Sequence, residues 1–332
     1  GNKPDTYVEM IKKGMSKQEL LDNHSHVLGL KNININIFEQ QIQVIMGLSG
    51  SGKSTLIRHI NRLIEPTVGK IEIDNEDILK MSSENLRDFR INKTSMVFQK
   101  FALLPHKTVS QNVAYGLIIK GQKDKDAENN GQKWIDKVGL TGFESHYPSQ
   151  LSGGMQQRVG LARALATNAE ILLMDEAFSA LDPLIRTDMQ NILLDLQKEL
   201  KKTIVFITHD LDEALRIGDN IAILRDGEIV QQGNPQEIIM KPADKYISDF
   251  IKDINRGKVI KLKSIMEHDK SELDIKIDQE TTIEDSIHLI NKDKNKSCNV
   301  VNEKGEIIGS VSLNSLLDAL VEKKKERSET YK

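Results

Sequence analysis

The sequence holds one loop whose residue types and spacing are those of a phosphate-binding site. Residues 47–54 read Gly-Leu-Ser-Gly-Ser-Gly-Lys-Ser, directly after the apolar run Val44–Met46 and before an apolar helical pattern. Glycines let backbone N–H groups approach phosphate oxygens, and the following helix turns its positive N-terminus toward them. In this motif the lysine reaches the β- and γ-phosphates and the hydroxyl that follows it binds Mg²⁺. The predicted phosphate-contacting set is Gly47, Ser49, Gly50, Ser51, Gly52, Lys53, Ser54 and Thr55.

Two carboxylates follow a second apolar run. Residues 171–176 read Ile-Leu-Leu-Met-Asp-Glu, the pattern of a short buried strand that ends in acid. Ligands of parallel sheets bind at the carboxyl ends of the strands. We therefore expect Asp175 to hold the Mg²⁺ shell and Glu176 to polarise the attacking water as general base. Carboxylates without a ligand also end strands, so this interpretation depends on the phosphate loop.

The elements that must position these side chains alternate between strands and helices. The pattern from Val27 to Met46 predicts two strands joined by a polar turn at residues 39–41. Asp182-Pro183 is a typical helix start, with Asp182 as the N-cap and proline at the first helical position. Thr203–Ile207 is predicted to be a buried strand, and the apolar runs around Asp226-Gly227 predict a hairpin. This alternation is typical of an α/β fold.

Composition excludes several classes of function. The 332 residues carry 46 Lys and Arg against 49 Asp and Glu, a net charge of −3, and only 4% are aromatic. Neither the charge nor the aromatic content favours nucleic-acid binding. The single cysteine, Cys298, cannot form an internal disulfide. No apolar run approaches the roughly 18–20 residues of a membrane span, so we expect any membrane connection to come through a partner.

A third motif identifies a family. Residues 151–158 read Leu-Ser-Gly-Gly-Met-Gln-Gln-Arg, and here the chain resembles the ATP-binding subunits of ABC transporters, although Met155 stands where the family signature has glutamine. The resemblance implies that two copies sandwich two ATP molecules. One copy's signature then contacts the γ-phosphate held by the other copy's loop. The implied signature contacts are Ser152, Gly153, Gly154 and Gln156.

Further residues match the family in order. Gln99, after Met-Val-Phe, resembles the glutamine that contacts Mg²⁺ or water and senses the membrane partner. Residues 179–182 resemble the D-loop, in which Asp182 also serves as the N-cap. His209 resembles the switch histidine that contacts the γ-phosphate and orients the general base. The resemblance thus implies ATP and Mg²⁺ as cofactors, catalytic residues Glu176 and His209, and metal contacts from Ser54, Gln99 and Asp175.

The adenine site departs from the family pattern. Family members stack adenine on an aromatic residue some two dozen positions before the phosphate loop, where this chain has His24-Ser25-His26. We expect His24 to stack on the base as an imidazole. A solvent-exposed turn is the alternative.

The resemblance extends to a subfamily. Residues 61–67 (NRLIEPT), 96–106 (MVFQKFALLPH), 172–186 (LLMDEAFSALDPLIR) and 210–219 (DLDEALRIGD) resemble the ATPases of osmoprotectant importers for glycine betaine and proline. The implied function is ATP hydrolysis that energises import of a quaternary amine. Choline or another small amine stays open as the solute. The ATPase subunit never touches the solute, so its residues carry no direct information about solute specificity.

The resemblance also implies an architecture and a set of domains. The fold class is α/β: a P-loop ABC ATPase, with a RecA-like core, an antiparallel β subdomain and a helical signature subdomain, plus a small α+β CBS module. A shift in composition near residue 255 suggests the domain boundary. The predicted domains are an N-terminal helical extension (1–22), the nucleotide-binding domain (23–254, with the helical subdomain at about 100–165), a single CBS-like regulatory module (255–320) and a charged tail (321–332).

The implied partners follow from the family. They are a second copy of the chain, a transmembrane permease, indirectly a periplasmic or lipid-anchored substrate-binding protein, and no nucleic acid. The implied location is the cytoplasmic face of a prokaryotic inner membrane. The apolar patch 101–105 is either the permease contact or is covered by the chain's own helices. Three rival classes are disfavoured: DNA-repair ATPases by the absence of a coiled-coil insertion, translation factors by the single cassette, and a non-hydrolysing sensor by the filled catalytic positions.

Overall fold

The structure is a computed structural model that describes residues 4–269, 273–291 and 296–321. The chain divides into two compact units, Gly1–Gln232 and Gly233–Lys332. Composition alone predicts the boundary near residue 255 instead, and that domain division stays a prediction. Within the second unit, the Gln236 side chain donates to the carbonyl of Val259 and accepts from the amide of Lys261. The helix that starts at Pro235 therefore packs with the segment around Val259 and Lys261.

A six-stranded sheet forms the centre of the first unit. Its strands, with a separate two-stranded ribbon, are β1 (Ile42–Met46), β2 (Glu72–Ile73), β3 (Glu76–Asp77), β4 (Thr94–Val97), β5 (Ile171–Asp175), β6 (Thr203–Thr208), β7 (Asn220–Arg225) and β8 (Glu228–Gly233). The large sheet has the order β4-β5-β6-β1-β7-β8, and β2 pairs with β3 antiparallel. Strands β4, β5, β6, β1 and β7 run parallel. Their carboxyl ends therefore meet at one edge.

Helices flank this sheet. They are α1 (Pro4–Lys12), α2 (Lys17–His24), α3 (Lys53–Ile60), α4 (Ser83–Asn92), α5 (Val109–Ile119), α6 (Asp124–Lys137), α7 (Gly153–Ala166), α8 (Pro183–Leu200) and α9 (Leu211–Ile217). Helices α5, α6 and α7, which follow β4 and precede β5 in the chain, pack against one another. Helix α2 starts with a capping box formed by Ser16 and Glu19. Helix α8 starts at Pro183 behind Asp182, as predicted.

The central strands are apolar because both faces of a parallel sheet are covered. Ile45, Leu173 and Val205 come from three neighbouring strands and pack in one core with Ile57 of α3. The hairpin between β7 and β8 turns at Asp226 and Gly227, whose φ angles of 53° and 86° suit a two-residue connection. The predicted strands at 171–174 and 203–207 and this hairpin are thus confirmed.

The first of the two strands predicted between Val27 and Met46 is wrong. Ile33, Ile35 and Ile37 are half-buried and pack on the central core, as their alternation predicts. The backbone of this segment pairs with no neighbouring strand in the described chain, so the alternation yields a packed but unpaired segment. Asn32 has a left-handed φ of 50°, which interrupts the extended conformation that pairing requires.

The second unit is a smaller α+β arrangement. Its elements are α10 (Pro235–Met240), α11 (Lys245–Ile251), α12 (Arg256–Val259), β9 (Lys276–Asp278), α13 (Ile283–Ile290), β10 (Ser297–Val301), β11 (Ile307–Ser312) and α14 (Leu313–Leu320). Strand β10 lies between β11, which is antiparallel to it, and β9, which is parallel. Helices α13 and α14 and strands β10 and β11 coincide with the apolar runs at 283–290, 313–320, 298–301 and 307–311. Most of the predicted tail, from residue 322, lies outside the described residues.

Across the described ranges, no helix combines the length and the apolar character that crossing a membrane needs.

Candidate active site

The phosphate loop joins the carboxyl end of β1 to the N-terminus of α3. Three glycines give it its shape, with φ angles of 155° at Gly47, 79° at Gly50 and 103° at Gly52. A Cβ atom at Gly47 would lie 2.3 Å from the carbonyl oxygen of Leu224, and one at Gly52 would lie 2.6 Å from Leu30. Only glycine fits these two positions. At Gly50 the corresponding space is open, so the loop leaves room where a phosphate must approach.

Lys53 is buried at the start of α3, with 4% of its surface exposed. Its Nζ donates to the carbonyl oxygens of Gly47 at 2.8 Å and Leu48 at 3.1 Å. The same atom lies 3.6 Å from Oε1 of Glu176. A buried ammonium needs such acceptors, and phosphate oxygens can replace them when a nucleotide binds.

Ser54 and Asp175 lie together at the predicted metal position. The Ser54 hydroxyl donates to Oδ1 of Asp175 at 2.8 Å, although the two residues are 121 positions apart in the chain. Nη2 of Arg58 lies 3.5 Å from Oδ2 of the same carboxylate. One hydroxyl and one carboxylate suit Mg²⁺, which is commonly bound by one or two protein oxygens together with substrate phosphates and water. In the ranges the structure covers, no cluster of three or more His, Cys, Asp or Glu side chains could hold a metal by itself.

The remaining loop side chains differ in their surroundings. Ser51 is buried, and its hydroxyl has no hydrogen-bond partner in the described part of the chain. An unpaired buried hydroxyl costs free energy, which a bound oxyanion would recover. Ser49 is exposed and Thr55 is half-buried. The loop residues thus fit a phosphate ligand.

Glu176 is the centre of a cluster formed by three different loops. Its Oε2 accepts from the Gln99 amide at 3.0 Å and lies 3.7 Å from Nδ1 of His209. Its Oε1 faces Lys53. Gln99 also donates to the Ser179 hydroxyl at 3.3 Å. Carboxylate, imidazole, amide and ammonium groups, each predicted from a separate motif, therefore converge at the carboxyl edge of the sheet.

The backbone of Glu176 is held in an uncommon conformation. Its φ is +47°, in the left-handed region, which costs a non-glycine residue roughly 1 kcal/mol or more. Its amide donates to the carbonyl of Ile207 at 3.2 Å, and its own carbonyl accepts from both the amide and the hydroxyl of Ser179. These bonds turn the chain sharply after β5 and aim the carboxylate at the phosphate loop.

The signature residues start α7. The Ser152 hydroxyl accepts from the amide of Met155 at 3.3 Å, which makes it the N-cap. Ser152 and Gly153 are exposed, and no hydrogen bond joins them to the phosphate loop within the described ranges. The Gln156 amide instead donates to the carbonyls of Pro148 and Leu151. The contacts of all four signature residues with ATP stay predictions, since they require a second copy of the chain.

The patch at 101–105 is partly covered. Phe101, Leu103 and Leu104 are half-buried, whereas Ala102 and Pro105 are exposed. Phe101 and Ala102 have φ angles of 52° and 50°, and their carbonyls accept from the guanidinium of Arg163 on α7. The loop after Gln99 is therefore fixed to the helix that carries the signature.

Within the described residues, the side chains of Asp182 and His24 make no hydrogen bond to this cluster. Asp182 is the exposed N-cap of α8, and its side chain makes no capping hydrogen bond. The His24 ring is 5.2 Å from the Tyr7 ring, and Tyr7 lies 4.2 Å from the ring of His26. The contact between His24 and adenine stays a prediction.

Sequence reasoning missed two residues of the site. Arg58 follows Ser54 by one helical turn on α3, and the i, i+4 spacing already places both on one face. Ser179 belongs to the D-loop motif, but only the structure shows that it binds both Gln99 and the Glu176 carbonyl.

Comparison with protein-family models matches residues 30–179 to the ABC transporter family. A glycine betaine/carnitine transport ATP-binding protein of Listeria monocytogenes is 53% identical over 266 residues, which are 80% of this chain and 67% of that protein. A glycine betaine/proline betaine transport ATP-binding protein of Escherichia coli is 46% identical over 323 residues, 97% of this chain and 80% of that protein.

Solved structures agree. The cassette MJ0796, solved as a dimer in a post-hydrolysis state bound to ADP and Pi, superposes with a TM-score of 0.58 at 38% identity. The match covers 62% of this chain and 90% of that one.

Proposed function

The chain belongs to the ABC transporter family of ATP-binding proteins, and on that premise we propose that it energises the import of glycine betaine, proline or a related quaternary amine. The observation that carries the proposal is the convergence of Lys53, Gln99 and His209 on Glu176. The relatives at 46% and 53% identity, named for glycine betaine transport, support the solute class.

ATP binding uses the groups that face each other around the loop. The amides of the phosphate loop and the Lys53 ammonium bind the phosphates, and the buried Ser51 hydroxyl gains a partner. Ser54, Asp175 and Gln99 would hold Mg²⁺, which supplies positive charge to the phosphate oxygens when bound. Arg58 keeps the Asp175 carboxylate turned toward Ser54.

Hydrolysis needs a general base, a hydrogen-bond donor to the γ-phosphate and a positioned water. Glu176 accepts a proton from the attacking water, as a carboxylate within reach of the γ-phosphate can. Gln99, bonded to Glu176 in this structure, orients the same water. His209, on the other side of the carboxylate, donates to the γ-phosphate and holds Glu176 in place. Catalysis of phosphoryl transfer rests mainly on such positioning and on charge stabilisation.

We further propose that the active form is a homodimer in which Ser152, Gly153, Gly154 and Gln156 contact ATP held by the partner. The exposure of Ser152 and Gly153 leaves them free to meet a second copy. The dimeric MJ0796 cassette supports this arrangement. Closing and reopening of the dimer is the step that drives transport.

The membrane partner is a permease that contacts the loop after Gln99. The exposed Ala102 and Pro105 and the half-buried Phe101 form an apolar surface for a short helix. The proposed location is the cytoplasmic face of a prokaryotic inner membrane, with a substrate-binding protein on the other side. Residues 255–320, with the element order β9-α13-β10-β11-α14, are proposed as a CBS-like regulatory module that pairs with its counterpart in the other subunit.

Uptake in cells tests the solute class. The chain is expressed with its permease and binding protein in a bacterial strain that lacks betaine uptake of its own, and labelled glycine betaine is followed at high osmolarity. We expect accumulation that proline betaine and carnitine suppress when added in excess. Suppression by choline alone would move the assignment to choline, and hydrolysis without any amine uptake would overturn the importer function.

A further inference from the structure

The first turn of α8 connects three loops that the catalytic cycle uses. Nη2 of Arg186 donates to the carbonyl oxygen of Leu181 at 3.3 Å, in the D-loop. Its Nη1 donates to Oδ2 of Asp210 at 3.0 Å. Asp210 follows His209 directly in the chain. One guanidinium therefore joins the D-loop to the residue beside the switch histidine.

Asp210 transmits this contact to the helix behind it. Its Oδ1 accepts from the amide of Glu213 at 3.0 Å and so caps α9, while its own amide donates to the Thr208 hydroxyl at 3.0 Å. The two carboxylate oxygens thus do different things: one fixes α9 and the other binds Arg186. His209 lies between two residues, Thr208 and Asp210, whose side chains are both engaged.

A buried polar chain keeps α8 and α9 in register behind this pair. The Gln190 amide donates to the Glu213 carboxylate at 3.0 Å, and Gln190 accepts from Arg216 at 2.8 Å. Burial raises the pKa of Glu213. These side-chain bonds connect α8 to α9 just behind the Arg186–Asp210 contact.

The residue before Arg186 reaches the signature. A Cβ atom built on Gly154 would lie 2.6 Å from Cγ2 of Ile185. The same helical turn therefore contacts the start of α7 through Ile185 and the segment at His209 through Arg186. In the proposed dimer, the first of these loops serves the partner's ATP and the second serves the chain's own ATP.

The Arg186 guanidinium is only partly hydrogen-bonded. Its Nε–H is buried without a hydrogen-bond partner in the described part of the chain. An unpaired buried donor opposes folding, typically by about 1–3 kcal/mol. The other two guanidinium nitrogens bind the D-loop carbonyl and the Asp210 carboxylate, so the bonds that Arg186 does make are those that join these two segments.

We propose that Arg186 is a positioning residue for ATP hydrolysis, which holds the D-loop and the His209 segment as one body. The inference rests on the proposed roles of His209 and of the dimer. Loss of Arg186 lets the His209 imidazole shift relative to Glu176 while the phosphate loop stays intact. Shifts of about 1 Å in a catalytic group can cost roughly 100-fold in rate.

A double-mutant cycle tests the proposal. Arg186→Gln removes the guanidinium that joins Leu181 to Asp210. Asp210→Asn removes the charge of the acceptor but keeps an oxygen that can cap α9. Each is combined with the other and with His209→Ala, and phosphate release is measured under single-turnover and steady-state conditions. Arg87→Gln, on an exposed face of α4, is the matched control and is expected to behave as wild type.

We expect each of Arg186→Gln and Asp210→Asn to lower kcat by about 10–100-fold, with the KM for ATP changed by less than about threefold. The two together lose no more than either alone, and Arg186→Gln adds less than about threefold to the loss in the His209→Ala background. A merely structural role predicts full additivity with His209→Ala, and that result overturns the proposal. Unchanged kcat in Arg186→Gln overturns it as well.

The same experiment separates this inference from the proposed function. If the wild type does not release phosphate, the proposed function fails. If the wild type hydrolyses ATP and His209→Ala does not, while Arg186→Gln is fully active, only the proposed positioning role of Arg186 is wrong. Should Arg186→Gln fail to fold, as judged by its melting temperature, the Asp210→Asn series alone decides, because it leaves Arg186 and the α9 cap in place.

Discussion

Replacing Glu176 by glutamine removes the general base and leaves the shape of the site nearly unchanged. Glutamine has the same number of heavy atoms, so its amide oxygen can still accept from Gln99, which lies 3.0 Å from Oε2 in the wild type. What is lost is the negative charge and the proton acceptor. Because the charge faces Lys53 at 3.6 Å, its removal also frees the ammonium for phosphate oxygens.

The expected effect falls on the chemical step. General acid–base catalysis contributes roughly 10²–10⁴-fold to a rate, which corresponds to about 3–5 kcal/mol of transition-state stabilisation. We therefore expect kcat for Glu176→Gln to fall by about that factor. Affinity for ATP should stay equal to that of the wild type or rise, since a like charge near the γ-phosphate has been removed.

Two assays separate these effects. Phosphate release at saturating ATP measures the chemical step, and titration with a fluorescent ATP analogue measures binding. The control is Glu39→Gln, an exposed carboxylate just before the amino end of β1, at the opposite end of that strand from the phosphate loop. Turnover of Glu176→Gln within about threefold of the wild type would exclude Glu176 as the general base.

Three further changes have expected outcomes. Asn112→Ala should lower the free energy of unfolding in urea by about 2–4 kcal/mol, because this fully buried amide bonds the backbone of the 104–108 segment. The control Asn130→Ala, at an exposed position, should lower it by less than about 0.5 kcal/mol. Equal losses of stability in the two variants would contradict the role of the Asn112 amide. Gly154→Ala should lower ATPase activity through the clash with Ile185, and Ile185→Ala added to it should restore part of the loss; no restoration would exclude the clash as the cause. Burial raises the pKa of Cys298 from 9.0 to about 11, so the thiol ionises at lower pH in the unfolded chain and unfolding above pH 9 releases a proton. The wild type should therefore lose stability relative to Cys298→Ala between pH 9 and 11, by up to about 1.4 kcal/mol per pH unit. Parallel plots of unfolding free energy against pH for the two proteins would contradict the raised pKa.

The sequence predicts most of the chemistry because the motifs are local. The phosphate loop needs its glycines in a fixed order, and the carboxylates at 175 and 176 need only the end of a buried strand. Each motif therefore carries its own structural context. The convergence of Gln99, Glu176 and His209 then follows from a parallel sheet, whose carboxyl ends lie along one edge.

The missed features depend on contacts between distant segments. Nothing in the local pattern tells that Arg186 reaches Asp210, 24 positions further along. The alternation at Ile33, Ile35 and Ile37 correctly predicts which side chains face the core, but pairing also needs a neighbouring strand, which no local pattern supplies. The division between Gln232 and Gly233 similarly agrees with the bonds from Gln236 to Val259 and Lys261, whereas composition changes only near residue 255.

In the proposed function, ATP hydrolysis at the Glu176 cluster drives uptake of a quaternary amine. The most direct measurement follows phosphate release and labelled glycine betaine uptake in the same proteoliposomes, which contain the chain, its permease and its binding protein. We expect both signals to appear together in the wild type and Glu176→Gln to abolish both. Hydrolysis without uptake in the wild type, or uptake that persists in Glu176→Gln, would exclude this coupling.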